Sequence, residues 1–372
     1  MTDILTKIHD DILNDNASTK IPESTYDKII KETYEAIEVD YVEFDPEKHL
    51  QYYTDPMLKH KFEKTRRLTL EELGLSSPEQ ISHIGVSDPF PLFTAEAIQI
   101  MKQEILKKET FLKYARYTYN SSGKDVCIRG HSKDNAFTHA AWTHPKTMEL
   151  VSLMAGIDLE VVFDYEIAHT NVSMKEKDQV EKELENYKPK SIEEDCAVGW
   201  HFDSYPFVCV LMLSDTTNMI GGETSLRMGK GNEGKIVAVP GPVSGSACVL
   251  QGRLVEHIAP NPVGVNERIT MVTSYRAKNP KKPDTSVLST VKPELNFGSR
   301  YTDFYKDWVN YRSDLVIENL NLIKKEMNEN FDKQKIMDEL KALESYIGKT
   351  YKEMSVSKEE WEGIKENYKR FI

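Results

Sequence analysis

What most limits the fold of this chain is a run of short apolar segments cut apart by glycine. Ten of its eighteen glycines lie between Gly199 and Gly264. Among and just after them stand 207–213, 222–226, 236–239, 247–250, 253–257 and 269–275, each four to seven residues long. Apolar runs this short, bounded by turn residues, are strands rather than helices, and so many in succession read as a β-barrel or jelly roll. The loop 229–234, Gly-Lys-Gly-Asn-Glu-Gly, lacks Gly-Lys-Ser/Thr and a following helix, so it reads as a hairpin and not a phosphate loop.

Four polar side chains within this strand region carry chemistry. His201 and Asp203 stand two apart, and alternation along a strand points both to one side. His257 follows after fifty-three intervening residues and Arg268 after ten more. Two neutral imidazoles and one carboxylate form a facial triad that suits non-haem Fe(II) and leaves three coordination positions open. The prolines, glycine and asparagines of 258–267 read as a hairpin loop. Symmetric pairing about it would set His257 and Arg268 nearly opposite each other, roughly 5 Å apart at the backbone. A short dicarboxylate can then chelate the ion at one end and meet the planar guanidinium fork at the other. Thr270, on the strand face of Arg268, adds a hydroxyl donor.

The pattern His-x-Asp, fifty-three residues, His, ten residues, Arg-x-Thr resembles the Fe(II)/2-oxoglutarate-dependent dioxygenases, with the match running from about Gly199 to Tyr275. The stretch Asp88-Pro89-Phe90-Pro91-Leu92-Phe93 is similar to uncharacterised fungal members. The resemblance implies an α+β fold, a double-stranded β-helix (jelly-roll) core with flanking N- and C-terminal helices. It implies Fe(II), O2, 2-oxoglutarate as co-substrate and ascorbate as a supporting reductant. The implied reaction decarboxylates 2-oxoglutarate to succinate and carbon dioxide while a second substrate is oxidised. Members with a small residue at the position of Asp203 leave room for halide, so this chain is expected to hydroxylate, or to desaturate with the same ligands.

Composition removes other classes. A net charge of −12 over 372 residues disfavours nucleic acid, whose binding depends on neutralising phosphates with Lys and Arg, and disfavours an anionic membrane surface. No apolar run approaches the roughly eighteen residues needed to span a bilayer. The first residues, Met1-Thr2-Asp3-Ile4-Leu5-Thr6-Lys7, lack the basic and apolar regions of a signal peptide. Cys127, Cys196, Cys209 and Cys248 show no close pairing, which fits reduced thiols and a cytoplasmic setting.

The rest of the chain supports this centre. Residues 1–85 form a charged, helical flank, 86–298 the oxygenase core with its supporting helices, and 299–372 a helical region. Thr94 caps a helix with Ile98, Met101 and Ile105 as its apolar stripe, and Pro145 opens another that stops at Gly156. From 111 to 143 the sequence is irregular and offers Tyr117, Tyr119, Asn120, Arg129, His131, His139 and Trp142 to a substrate pocket. A strand over 160–173 puts Val161, Phe163, Tyr165, Ile167, His169 and Asn171 on one face that turns polar toward its end. Asn171 is therefore a candidate for a further 2-oxoglutarate contact, with His169 a packed histidine. In 175–195, thirteen of twenty-one residues are charged, which reads as a solvated insertion or lid. Ser357 and Glu360 form a capping box, and the C-terminal helices either cover the outer sheet or build a homodimer contact. A small-molecule substrate is the leading reading. A protein side chain, an iron oxidase that does without 2-oxoglutarate, and a non-catalytic metal-binding scaffold stay open beside it.

Overall fold

The computed structural model describes residues 4–15, 17–31, 41–117, 125–188 and 196–368. Eight strands organise it: β1 (His169–Met174), β2 (Cys196–His201), β3 (Phe207–Met212), β4 (Ser225–Arg227), β5 (Ile236–Ala238), β6 (Ser246–Leu250), β7 (His257–Pro260) and β8 (Glu267–Ala277). They divide between two antiparallel sheets. In the larger, β6, β3, β8 and β1 are neighbours in that order, and outer strands from 67–128 extend both edges. The smaller sheet runs β5, β4, β7, β2. The chain therefore changes sheet at almost every connection, and only the β4–β5 hairpin stays within one.

Alternation along the strands decides what each face meets. One face of the large sheet presents Phe207, Cys209, Leu211, Val249, Ile269, Met271 and Tyr275 to the helices Ala95–Leu106, Ala136–Thr143 and Pro145–Ala155, all in one buried cluster. Thr94 caps the first of these helices through Ala97 N, and Gly156 ends the third with φ 70°. The opposite face holds Val208 and Leu250, which pack on Leu226 and Val255 of the small-sheet side. Further along, that same face opens. His169, Val272, Val210 and Cys248 are successive cross-strand partners, and all four are only partly buried although they sit on central strands. These four residues, in the middle of a sheet whose reverse face is packed, leave that stretch of the inner face partly uncovered.

Four expectations are corrected here. The 160–173 segment is not one strand: Leu159–Val161 pairs with β8, a short 3-10 turn follows at Asp164–Glu166, and β1 starts only at His169. The break is at Ala168, whose φ of 60° is a conformation that a Cβ disfavours. It is held by bonds from its N to Thr273 Oγ1 and to its carbonyl from Thr170 Oγ1 and the His131 ring. The segment 111–143 is less irregular than its composition suggests, with strands Ala115–Tyr117 and Asp125–Ile128 and the helix Ala136–Thr143. Arg129, His131 and Trp142 are buried there, the indole N–H reaching Met271 Sδ at 3.1 Å, so they serve the core. Tyr119 and Asn120 lie outside the described residues. Finally, 253–257 is mostly turn, and 258–267 is no hairpin, because β7 belongs to the small sheet and β8 to the large one.

The charged segment after β1 contains the helix Lys177–Asn186, whose Glu176 and Gln179 form a reciprocal cap. Lys175 ties its start to Glu183 and to the Pro262 carbonyl, both at 2.7 Å, beside the β7–β8 crossover. The C-terminal helix Tyr301–Glu329 buries Phe304, Trp308 and Tyr311 against Phe163, Tyr165, Tyr205, Leu288 and Val291. Trp308→Ala should therefore lower stability by roughly 3–5 kcal/mol, measured by denaturant unfolding. The Ser357–Glu360 cap is present, and Ile364 meets Ile8, Ile12 and Phe297 in a cluster joining both ends of the chain.

Candidate metal centre

The two sheets bring His201, Asp203 and His257 together. His201 closes β2, His257 opens β7, and the two are direct cross-strand partners with ring centroids 4.3 Å apart. Asp203 lies just past the end of β2, where the chain is still extended enough to bring its carboxylate back to the imidazoles. Its Oδ1 is 3.8 Å from His201 Nε2 and its Oδ2 is 3.6 Å from His257 Nε2. Side-chain exposures of 28, 20 and 12 % for His201, Asp203 and His257 leave the cluster half-enclosed but reachable.

The hydrogen bonds around the cluster fix its protonation. His201 Nδ1 is 2.8 Å from the Gly199 carbonyl and His257 Nδ1 is 3.0 Å from that of Val255. A carbonyl only accepts, so each Nδ1 carries a hydrogen and Nε2 is the nitrogen turned toward Asp203. Burial first, and the neighbouring His257 second, push the His201 pKa down and keep that ring neutral. Asp203 Oδ2 is buried and accepts no hydrogen bond. A buried carboxylate that lacks a hydrogen bond on one oxygen, with an imidazole Nε2 near each oxygen, is stabilised by a cation placed among them. Two ligand atoms each ~2.1 Å from one ion and about 90–120° apart stand ~3.0–3.6 Å from each other, close to the spacing seen. The donor set thus fits a divalent transition metal. Among the described residues, this is the one group of three His, Cys, Asp or Glu side chains able to hold an ion.

Arg268 reaches this space from the other layer. It sits on β8 opposite Ser173 of β1, and its Nη2 donates to the Gly222 carbonyl at 3.2 Å. Gly222 runs into β4, whose Leu226 is the cross-strand partner of His257. The guanidinium therefore spans from the large sheet toward the one that carries the histidines. At Gly222, a Cβ would come within 3.2 Å of Arg268 Nε, so glycine leaves the head group its room. Thr270 lies two residues along the same face and pairs across the strands with Asn171 and Met212. His257, His201 and Asp203 thus form one group, and Arg268, Thr270 and Asn171 a second on the facing sheet. Gly222 is a contributor that sequence reasoning missed; its only signal was its small size.

His169 is not part of the cluster. Its Nε2 is 3.0 Å from Cys127 Sγ, and burial, then Arg129, hold its pKa well below the usual histidine value. Arg129 pairs with Glu166 in the interior. His131 is fully buried, and burial lowers its pKa to about 4. An unfolded histidine takes up its proton near pH 6.5. Above that value neither state binds one; below it the unfolded chain binds protons that folded His131 and His169 refuse. Stability should therefore fall as pH drops from about 6.5 toward about 4, read as a declining denaturant midpoint. His131→Gln should flatten part of that decline.

Two antiparallel sheets enclosing a two-histidine, one-aspartate cluster define a candidate mononuclear metal protein. No protein-family model matches the chain, and no curated protein matches it by sequence. Solved structures similar to it include the following three. An oxidoreductase of the 2OG-Fe(II) oxygenase family from Burkholderia pseudomallei aligns at 15 % identity over 43 % of this chain and 71 % of its own, with a TM-score of 0.30. The non-haem α-ketoglutarate-dependent epimerase SnoN from nogalamycin biosynthesis aligns at 15 % over 56 % and 82 %, with 0.37. A Pseudomonas putida prolyl-4-hydroxylase aligns at 13 % over 50 % and 89 %, with 0.29. No described helix is long and apolar enough to cross a membrane.

Proposed function

We propose that this chain is an Fe(II)/2-oxoglutarate-dependent oxygenase of a small molecule, built on a double-stranded β-helix. The observation that carries the reading is the gathering of His201, Asp203 and His257 around an Asp203 oxygen that accepts no hydrogen bond, with Arg268 on the opposite sheet held to the Gly222 carbonyl. The alternation of the strands between the two sheets supports the β-helix.

His201, Asp203 and His257 would hold the ion, which when bound supplies the redox chemistry that couples 2-oxoglutarate decarboxylation to substrate oxidation. His201 enters neutral, so that ligand has no proton to lose first, and Asp203 brings one negative charge. Arg268 is placed to take the distal carboxylate of 2-oxoglutarate through two charge-assisted hydrogen bonds, with Thr270 adding a hydroxyl and Asn171 an amide from the neighbouring strand. The second substrate would lie along Val210, Val272 and Cys248, an apolar floor enclosed between layers. Such closure suits a small molecule better than a polypeptide. Cys127, Cys209 and Cys248 are unpaired thiols, which supports work in a reducing, cytoplasmic compartment.

The test is to incubate iron-loaded protein with 2-oxoglutarate and a cell metabolite extract. A metabolite that gains one oxygen or loses two hydrogens in step with succinate formation is expected. Failure to form succinate in any extract while iron remains bound would count against the reading.

A further inference from the structure

We infer that the turn Gln251-Gly252-Arg253 is a positioning cradle that aims the Asp203 carboxylate by steric contact instead of by hydrogen bonds; this rests on reading His201, Asp203 and His257 as a metal centre. Metal-binding carboxylates are usually oriented by outer hydrogen bonds that occupy some of their lone pairs. The buried Oδ2 of Asp203 has none. Something else must hold it.

The turn is itself immobile. Gln251 is 1 % exposed and anchors to the adjoining strand region four times. Its Oε1 accepts from Ile81 N at 3.0 Å, its Nε2 donates to the carbonyls of Ser82 at 3.1 Å and Ile84 at 2.8 Å, and its N donates to that of Gly85 at 2.8 Å. From this base, the Gly252 carbonyl accepts from Asp203 N at 2.9 Å. On the other side, Arg253 Nη1 donates to the Asp203 carbonyl at 3.4 Å while its Nε donates to that of Thr285 at 3.3 Å. Both main-chain polar groups of Asp203 are thus gripped by consecutive residues of one turn.

Between those grips the carboxylate rests on Gly252. A Cβ built there would lie 1.9 Å from Asp203 Oδ2 and 2.6 Å from its Cγ and Cβ. The φ of Gly252 lies outside the left-handed region, so its backbone is one that alanine can adopt. Glycine is needed here for space. A methyl there meets the Asp203 Cβ as well as its carboxylate, so the carboxylate must turn off the imidazoles and the Asp203 main chain must draw back from the turn.

Gly252→Ala is the test, read by Co(II) or Fe(II) affinity and by the visible spectrum of the Co(II) form. We expect a loss of roughly 100-fold, the upper end for an outer partner of a metal ligand, with a changed spectrum and a lowered metal-free melting temperature. In an Asp203→Gly background, which offers the methyl neither a Cβ nor a carboxylate, the same substitution should leave the metal-free melting temperature unchanged, a coupling that general destabilisation would not produce. Arg253→Ala, which adds no bulk, should lose affinity by about 10-fold. Should Gly252→Ala fail to fold, the Arg253→Ala affinity decides: unchanged, it overturns the cradle. Parental affinity and spectrum in folded Gly252→Ala also overturn it, and leave the metal centre standing. A parent chain that binds neither metal overturns the metal centre itself.

Discussion

Asp203→Ala is expected to abolish metal-dependent decarboxylation of 2-oxoglutarate while leaving the metal-free fold as stable as before, or more so. The two halves of this expectation come from one atom. Asp203 supplies the only anionic ligand of the cluster, and even outer-shell losses cost metal affinity ~10–100-fold, so removing the carboxylate should cost more than that. Yet in the metal-free protein its Oδ2 is buried without a hydrogen bond, a state that costs about 1–3 kcal/mol. Alanine removes that cost and fits beside Gly252. Succinate formation and the thermal midpoint of the metal-free protein, measured together, check both halves. A variant that turns over normally refutes the triad, and one that unfolds would show Asp203 to be a structural residue.

Arg268→Ala should act differently, mainly on the co-substrate requirement. A guanidinium fork on a carboxylate makes two charge-assisted bonds, and losing them costs on the order of 3 kcal/mol, roughly 100-fold in 2-oxoglutarate affinity. Metal affinity should hardly move, since Arg268 stands on the opposite sheet from the histidines. Lysine should restore only part of the loss because a point charge cannot reproduce the fork. The apparent KM for 2-oxoglutarate and Fe(II) binding to the same variant separate this account from a general collapse of the site. Equal losses of both would point to collapse.

Much of the centre was legible because its signals are local. His201 and Asp203 are two apart next to a strand end, and the strand segments of 207–275 are bounded by glycine and proline that announce turns. What misled was long-range. Proline, glycine and asparagine suit a hairpin and a sheet-to-sheet crossover equally well, so 258–267 was read as a hairpin. Only the pairing of His257 with His201, far apart in sequence, reveals the crossover. Arg268 stands on the other sheet, its guanidinium on the carbonyl of Gly222, which leads into the strand that pairs with His257. The break at Ala168 had no local signal, since alanine is a poor residue for φ 60° and is held there by partners as distant as Thr273. Likewise Arg129, exposed-looking in a polar stretch, is buried because Glu166 pairs with it. Asn171 fell on the expected face even though the strand that argued for it is interrupted, because His169 and Asn171 keep their alternation within β1.

The most direct measurement is an anaerobic titration of 2-oxoglutarate into the Fe(II)-loaded protein, followed by calorimetry and visible absorption. The account requires one equivalent to bind, with a new charge-transfer absorption, and requires both signals to vanish on chelating the iron and in Asp203→Ala. Binding of equal strength with and without iron, or no binding to a fully iron-loaded chain, would contradict it.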